Sequence, residues 1–285
     1  MTAPEQPSYP DFSTDVPSPA RMYDYGLGGK DNFAVDRAAN LAGLALFPEL
    51  LDIARENRLF LYRVVRFLAG EVGIRQFLDL GSGLPAAQNV HQVAQEFQPD
   101  AHVVYVDNDP VVLTHGRALL AERDRTTVVM ADMTRPDDIL AQADVRRLID
   151  FSQPVAVLFL SVLHCVPDDD VAVSMLSSTV GALAAGSYLA LSQCVGESSE
   201  AAAEHNKVAG EVGLAWKTRM AEDIRGFVAG LKPVPPGLVD VADWRPDRFQ
   251  PPLAPVDLPL RPYLGAAARH KRLKEFGGVL RISQP

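Results

Sequence analysis

The chain has 285 residues and a formal net charge of −9, with 47% hydrophobic, 22% charged and 7% aromatic residues. At roughly 100–200 residues per domain, this predicts one large domain or one with appendages, able to bury a core without staples. Collagen-like, disordered and disulfide-scaffold classes are excluded, no apolar run reaches the ~18–20 residues of a membrane span, and the acidic balance argues against general polyanion binding.

Residues 1–20 hold five prolines and no basic n-region, which predicts a flexible start rather than a secretory signal. The segment RMYDYGLGGKDNFAVDR (21–37) concentrates glycines and aromatics. Leu50, Leu51, Ala54, Leu61, Val64, Val65 and Leu68 then recur at helical spacing, and Gly70 and Gly73 punctuate the end. From there strands and helices alternate. QFLDL (76–80), HVVYV (102–106), TTVVM (126–130), PVAVLFL (154–160) and SYLALS (187–192) have strand length, with helices predicted near 87–97, from Asp109-Pro110, near 135–149 and from Asp168 to Gly186. Continuous apolar strands belong in a sheet buried on both faces, and the alternation predicts an open parallel α/β sheet.

The last third changes character. Helices are predicted over about 197–213 and 219–230, and nine prolines fall within 232–262. VPPGLVDV (234–241) and PYLGAAAR (262–269) are expected as short antiparallel strands closing the sheet edge. The tail from Arg269 carries five Lys/Arg against one acid and is expected as a solvated face. Cys165 and Cys194 sit in apolar stretches, as buried free thiols do. A cytoplasmic location is expected.

In such a sheet, ligands bind at the carboxyl ends of the strands. The first strand runs into Asp79-Leu80-Gly81-Ser82-Gly83, whose glycines permit a tight turn and close backbone approach, followed by a helix N-terminus. The second ends at Asp107-Asn108-Asp109, near the offset expected for an acid that grips ribose hydroxyls. Two cofactor classes fit. Gly81-x-Gly83-x-x-Ala86 satisfies the loose dinucleotide fingerprint, which keeps an NAD-linked oxidoreductase open. Asp79, however, would repel a pyrophosphate and attract an ammonium, which suits S-adenosyl-L-methionine; its other reading is a turn cap. Asp132 and Met133, after the third strand, suit an adenine amino group and ring face, with a plain helix cap as the alternative.

These residues reproduce the pattern of class I S-adenosylmethionine-dependent methyltransferases. DLGSG (79–83) resembles the family's first motif, VDND (106–109) its acidic second-strand end, ADM (131–133) its adenine motif and SVLHCVPD (161–168) the segment after its fourth strand. RMYDYGLGGKDNFAVDR (21–37), QFLDLGSGLP (76–85), VVYVDNDPVVL (103–113), LVDVADWRPD (238–247) and YLGAAAR (263–269) together resemble an actinobacterial S-adenosyl methyltransferase family formerly catalogued as a domain of unknown function. The resemblance implies a Rossmann-like α/β fold: a mostly parallel seven-stranded sheet with helices on both faces and an antiparallel edge strand, plus an N-terminal helical lid. It divides the chain into 1–20, a lid or cap segment at 21–74, and a methyltransferase domain at 75–285 with an acceptor-side helical insertion at about 195–235.

The same resemblance places Asp79, Gly81, Ser82 and Gly83 at the methionine end of the cofactor, Asp107 and Asn108 at ribose and the adenine edge, Asp132 and Met133 at adenine, and Ser161 with His164 beside methyl transfer. Tyr23, Asn32 and Phe33 are expected in a lid over the cofactor, against the alternative of a surface helix with a glycine cap. His164 is the first candidate for a general base and Tyr23 a second. No acid directly follows the fourth strand and no ligand-spaced cluster appears, so no metal is expected. The expected reaction is methyl transfer to an O or N atom of an unidentified small molecule, with neither nucleic acid nor membrane as partner. A cofactor-binding regulatory protein without catalysis is the alternative.

Overall fold

Five of the apolar runs form the parallel part of one sheet, because their residues have helices to cover both faces. A computed structural model of the protein describes residues 15–119 and 124–283. The parallel strands are β1 (Gln76–Leu80), β2 (His102–Asp107), β3 (Thr126–Met130), β4 (Ala156–Leu160) and β5 (Tyr188–Gly196). With β6 (Lys232–Pro233), β7 (Val239–Asp240) and β8 (Leu273–Arg281) they make an eight-stranded sheet in the order β3-β2-β1-β4-β5-β8-β6, β7 also pairing with β8. All residues of β1, β4 and β5 are buried. On one face Leu78, Val104, Val157 and Leu189 pack with Ile139, Met175 and Leu176; on the other, Phe77, Val103, Leu158 and Ala190 pack with Phe60, Val64 and Val93.

The helices are α1 (Pro19–Gly26), α2 (Ala34–Leu46), α3 (Leu50–Arg66), α4 (Val90–Phe97), α5 (Pro110–Leu119), α6 (Pro136–Ala141), α7 (Ala143–Leu148), α8 (Asp169–Gly181), α9 (Ser199–Glu211) and α10 (Ala221–Phe227). The single helix expected over 135–149 is divided at Gln142, whose backbone is extended. Helix α3 lies on the sheet and continues as a π-turn to Val72, where Gly73 at φ 85° ends it. It also holds the C-terminal segment, since the Arg63 guanidinium donates to the carbonyls of Val241 and Trp244. Among the described residues no helix is long and apolar enough to cross a membrane.

The C-terminal segment departs from the expected strands. PYLGAAAR forms no strand; residues 258–263 and 266–268 are 3-10 turns, in keeping with Pro259 and Pro262 lacking an N–H. VPPGLVDV contributes only the two residues of β7, and its prolines likewise cannot extend a ladder. The basic tail instead supplies β8, which pairs antiparallel with β5 from Tyr188↔Arg281 to Gly196↔Leu273 and is buried along most of its length. Its charges are matched locally: Lys274 meets Glu197 at 2.7 Å, and Arg272 pairs with Glu204. Of the proline-rich start, residues 1–14 lie outside the described residues, and Ser18 is tied to the body through Asp36 and Asp109.

Candidate functional site

The strand order reverses between β1 and β4, and a cavity of about 500 Å³ opens at the carboxyl ends of β1 to β4, a volume in the range of small-molecule pockets. The turn after β1 is shaped by Gly81 and Gly83, at φ 73° and 65°. Gly81 and Ser82 donate their N–H groups to Val106 O, and Gly83 donates to Asp107 Oδ2 at 2.8 Å. A Cβ on Gly81 would come within 2.6 Å of Val162 Cγ1, so only glycine fits there. Helix α4 starts later than expected, at Val90, and its first turn is capped by Asn89. Its N-terminus therefore does not follow the glycine turn directly.

Asp79 is 4% exposed and lines the cavity. Burial pushes its carboxyl up to about 7, opposed by the Arg58 guanidinium and reinforced by Asp107. The turn's N–H groups go elsewhere, so Asp79 is not the turn's cap. Asp107 organises the loop, its Oδ1 accepting from Asp109 N at 2.9 Å, and burial raises its pKa. Asn108 is an exposed cavity residue beside it. At the β3 tip, Asp132 Oδ1 accepts from the N–H and hydroxyl of Thr134, and Met133 lines the wall near Gly81. Ser161, at the β4 tip, holds a left-handed backbone (φ 57°), and its N–H donates to Ser192 Oγ at 2.8 Å. A non-glycine residue held there costs energy, as such residues at functional sites do.

Helices α1 and α2 form the roof. Tyr23 lines the cavity, and its hydroxyl accepts from Asn57 Nδ2 at 3.0 Å; burial pushes its pKa up to about 12. Asn32 and Phe33 do not reach the cavity wall. The Asn32 amide donates to Asp24 Oδ2 and Gly29 O, while the Phe33 ring lies 5.4 Å from the Arg21 guanidinium. Both residues build the α1–α2 connection, whose short polar bonds hold them back from the ligand space. The roof is clasped by Asp36, which takes Arg21 Nε at 2.8 Å together with the N–H groups of Ser18 and Phe33, and by Ser18 Oγ donating to Asp109.

The far end of the cavity is walled by α9 and the loop behind it, with Val208, Ala209, Leu214 and Trp216. His164, 3% exposed, stacks on Trp216 with ring centroids 3.6 Å apart. Its Nδ1 accepts from Cys194 N at 3.4 Å, and burial, with His205 and Arg219 nearby, holds its pKa well below 6.5. That geometry puts the ring proton on Nε2 and leaves His164 a poor proton acceptor. Polar cavity residues outside the sequence motifs include Asn57, Arg58 and Glu275. Asn57 and Arg58 stand buried on α3, where two polar residues interrupting an apolar face were the available signal. Glu275 stands buried on β8, in a segment whose Lys and Arg content masked its strand character.

The chain resembles known proteins over nearly its full length. Residues 5–283 match a family model described as S-adenosyl methyltransferase. A candidate methyltransferase from Thermobifida fusca YX is 44% identical, with 95% of this chain and 96% of that one covered at a TM-score of 0.82. A DUF574 family protein from Streptomyces avermitilis MA-4680 is 36% identical, with 94% and 98% covered at a TM-score of 0.80. No curated protein matches the chain. The family removes the dinucleotide alternative that the glycine spacing left open. The sheet is thus that of an enzyme using S-adenosyl-L-methionine, and the chain belongs to the S-adenosyl methyltransferase family.

Proposed function

We propose that the enzyme methylates an O or N atom of a small, largely apolar molecule, without a metal ion, nucleic acid or membrane as partner. The observation that carries this reading is the two-ended cavity. One end gathers the acids Asp79, Asp107 and Asp132 at the strand tips, and the other is closed by Trp216, His164 and the aliphatic side chains of α9.

The residues present fit the cofactor. Ser82 Oγ is buried without a hydrogen-bond partner among the described residues, the space beside Gly83 is open, and the Asp79 carboxyl receives none of the turn's N–H groups. In this reading Asp79 takes the ammonium, Asp107 takes the ribose hydroxyls with its remaining lone pairs, and Met133 with Val162 flanks adenine. When bound, the cofactor supplies an electrophilic methyl group on a sulfonium. The chain orients the acceptor against Trp216, excludes water with the α1–α2 roof, and keeps the methionine end fixed from Asp79 and the glycine turn.

The test is to incubate the protein with methyl-labelled S-adenosylmethionine and a small-molecule metabolite extract. Label in a low-molecular-weight, organically extractable product is the expected result. Label found on protein or nucleic acid alone overturns the small-molecule reading.

A further inference from the structure

Strand β8 carries an acid where a buried strand has no ordinary use for one. Glu275 is 1% exposed and pairs across the sheet with Cys194, so both side chains point to the face covered by α3. Both carboxyl oxygens are buried without a hydrogen-bond partner of ordinary geometry among the described residues. The Ser192 and Ser161 hydroxyls lie close enough to favour the ionised carboxyl, yet the Ser192 proton goes elsewhere. Ser192 Oγ donates to Asn57 Oδ1 at 2.6 Å, and Asn57 Nδ2 donates to Tyr23 Oη at 3.0 Å. Ser161, whose backbone is held left-handed at the β4 tip, lies on the same side, and all of these residues except Ser192 line the cavity. A buried acceptor so weakly matched costs folding free energy, and native proteins accept that cost where a ligand completes the bond.

We propose that Glu275 faces the methyl-transfer position and receives the proton of the acceptor's nucleophilic O–H or N–H, so that the acceptor presents one such group on an otherwise apolar, flat body. The proposal rests on the cofactor and acceptor reading above. The acceptor's bond to hydrogen breaks and the proton joins a Glu275 carboxylate oxygen. The electron pair left on the O or N becomes the new bond to methyl, and the pair of the broken S–C bond stays on sulfur. Burial pushes the Glu275 carboxyl up to about 8, with the Ser192 and Ser161 hydroxyls opposing and Asp240 reinforcing. A neighbouring sulfonium favours its ionised form, which sets a base in the range where proton transfer at neutral pH is efficient. The stacked His164–Trp216 wall beyond it suits a flat acceptor.

The experiment compares S-adenosylhomocysteine with sinefungin, an analogue in which a protonated amine stands where the methyl is carried. Calorimetry on the wild type is expected to show sinefungin bound about tenfold tighter, as a charge-assisted hydrogen bond to a buried carboxylate gives. In Glu275→Gln the preference disappears while S-adenosylhomocysteine binds as before. In the label-transfer assay the same variant loses about 100-fold of product formation. A wild type that binds S-adenosylhomocysteine without preferring sinefungin overturns the inference with no variant needed. So does a Glu275→Gln protein that keeps the preference or keeps wild-type turnover. A wild type that binds neither compound overturns the cofactor reading itself, and this inference with it.

Discussion

The backbone N–H of Gly83 donates to Asp107 Oδ2 at 2.8 Å, so the glycine turn after β1 and the tip of β2 form one rigid piece. The other Asp107 oxygen accepts from Asp109 N. Replacing Asp107 with Ala removes both bonds together with the proposed ribose contact. Calorimetry with S-adenosylhomocysteine should show affinity falling by about tenfold or more, since charged hydrogen bonds contribute roughly 1.5–3 kcal/mol. Affinity within threefold of wild type would exclude the ribose role.

Asp79 has a folded pKa of about 7 against 3.8 for the free group. Between those values the folded protein holds a proton that the unfolded chain has released, so stability falls as pH rises from about 4 through 7. Asp79→Asn removes this loss. The ligand-free variant should melt higher than wild type at pH 8 and close to it at pH 4, yet bind S-adenosylmethionine about tenfold more weakly for want of the ammonium's counter-charge. Melts at the two pH values, with calorimetry at pH 8, check both halves.

Gly81 and Gly83 are both left-handed, but only Gly81 is also sterically closed, by Val162. Gly83→Ala should cost about 1 kcal/mol in stability, from the backbone alone, and narrow the cofactor space. Gly81→Ala should cost clearly more, because the turn must move away from Val162. Chemical denaturation of the two variants tests the order, and equal losses would contradict it.

Asp36 is fully buried and shared by Arg21, Ser18 and Phe33. Asp36→Ala removes the carboxylate that clasps the roof and is expected to destabilise the protein by roughly 3 kcal/mol, the scale for breaking a buried ion pair. Dissociation of S-adenosylhomocysteine should accelerate in step, which stopped-flow exchange measures.

Burial holds His205 at a pKa of about 4, with its Nδ1 at 2.7 Å from Thr218 Oγ1. As pH falls from 6.5 towards 4, the unfolded chain takes up a proton that the folded protein refuses, so stability is lost across that window, by up to ~3 kcal/mol. His205→Gln should make the fall in melting temperature between pH 6.5 and 4 shallower, with the buried His164 supplying part of what remains, and an unchanged slope would refute the assignment.

Much of the fold is legible in the sequence. The runs QFLDL, HVVYV, TTVVM, PVAVLFL and SYLALS became β1 to β5 because an unbroken apolar strand is stable only with both faces covered, and that demand is written locally. Asp79, Gly81, Asp107 and Met133 were legible as strand-tip residues for the same reason, since the end of an identified strand places the next few residues at the sheet's edge. Asn32 and Phe33 stand off the cavity wall because Asp24 and Asp36, close by in sequence, bond them.

Length and composition left one large acidic domain, and the strand endings added a nucleoside pocket within it; both follow from local pattern. The role of β8 does not. Its Lys274 is matched by Glu197 and the preceding Arg272 by Glu204, both distant in sequence, and burial of its backbone depends on β5 lying alongside. Glu275 acquires its place only when Cys194, Ser192 and α3 close around it, an arrangement created by pairing across some eighty residues of chain. Local periodicity reports which side chains leave water, whereas the partner each one meets is fixed by long-range packing, and it was that packing which set the buried Glu275 carboxyl in the cavity wall.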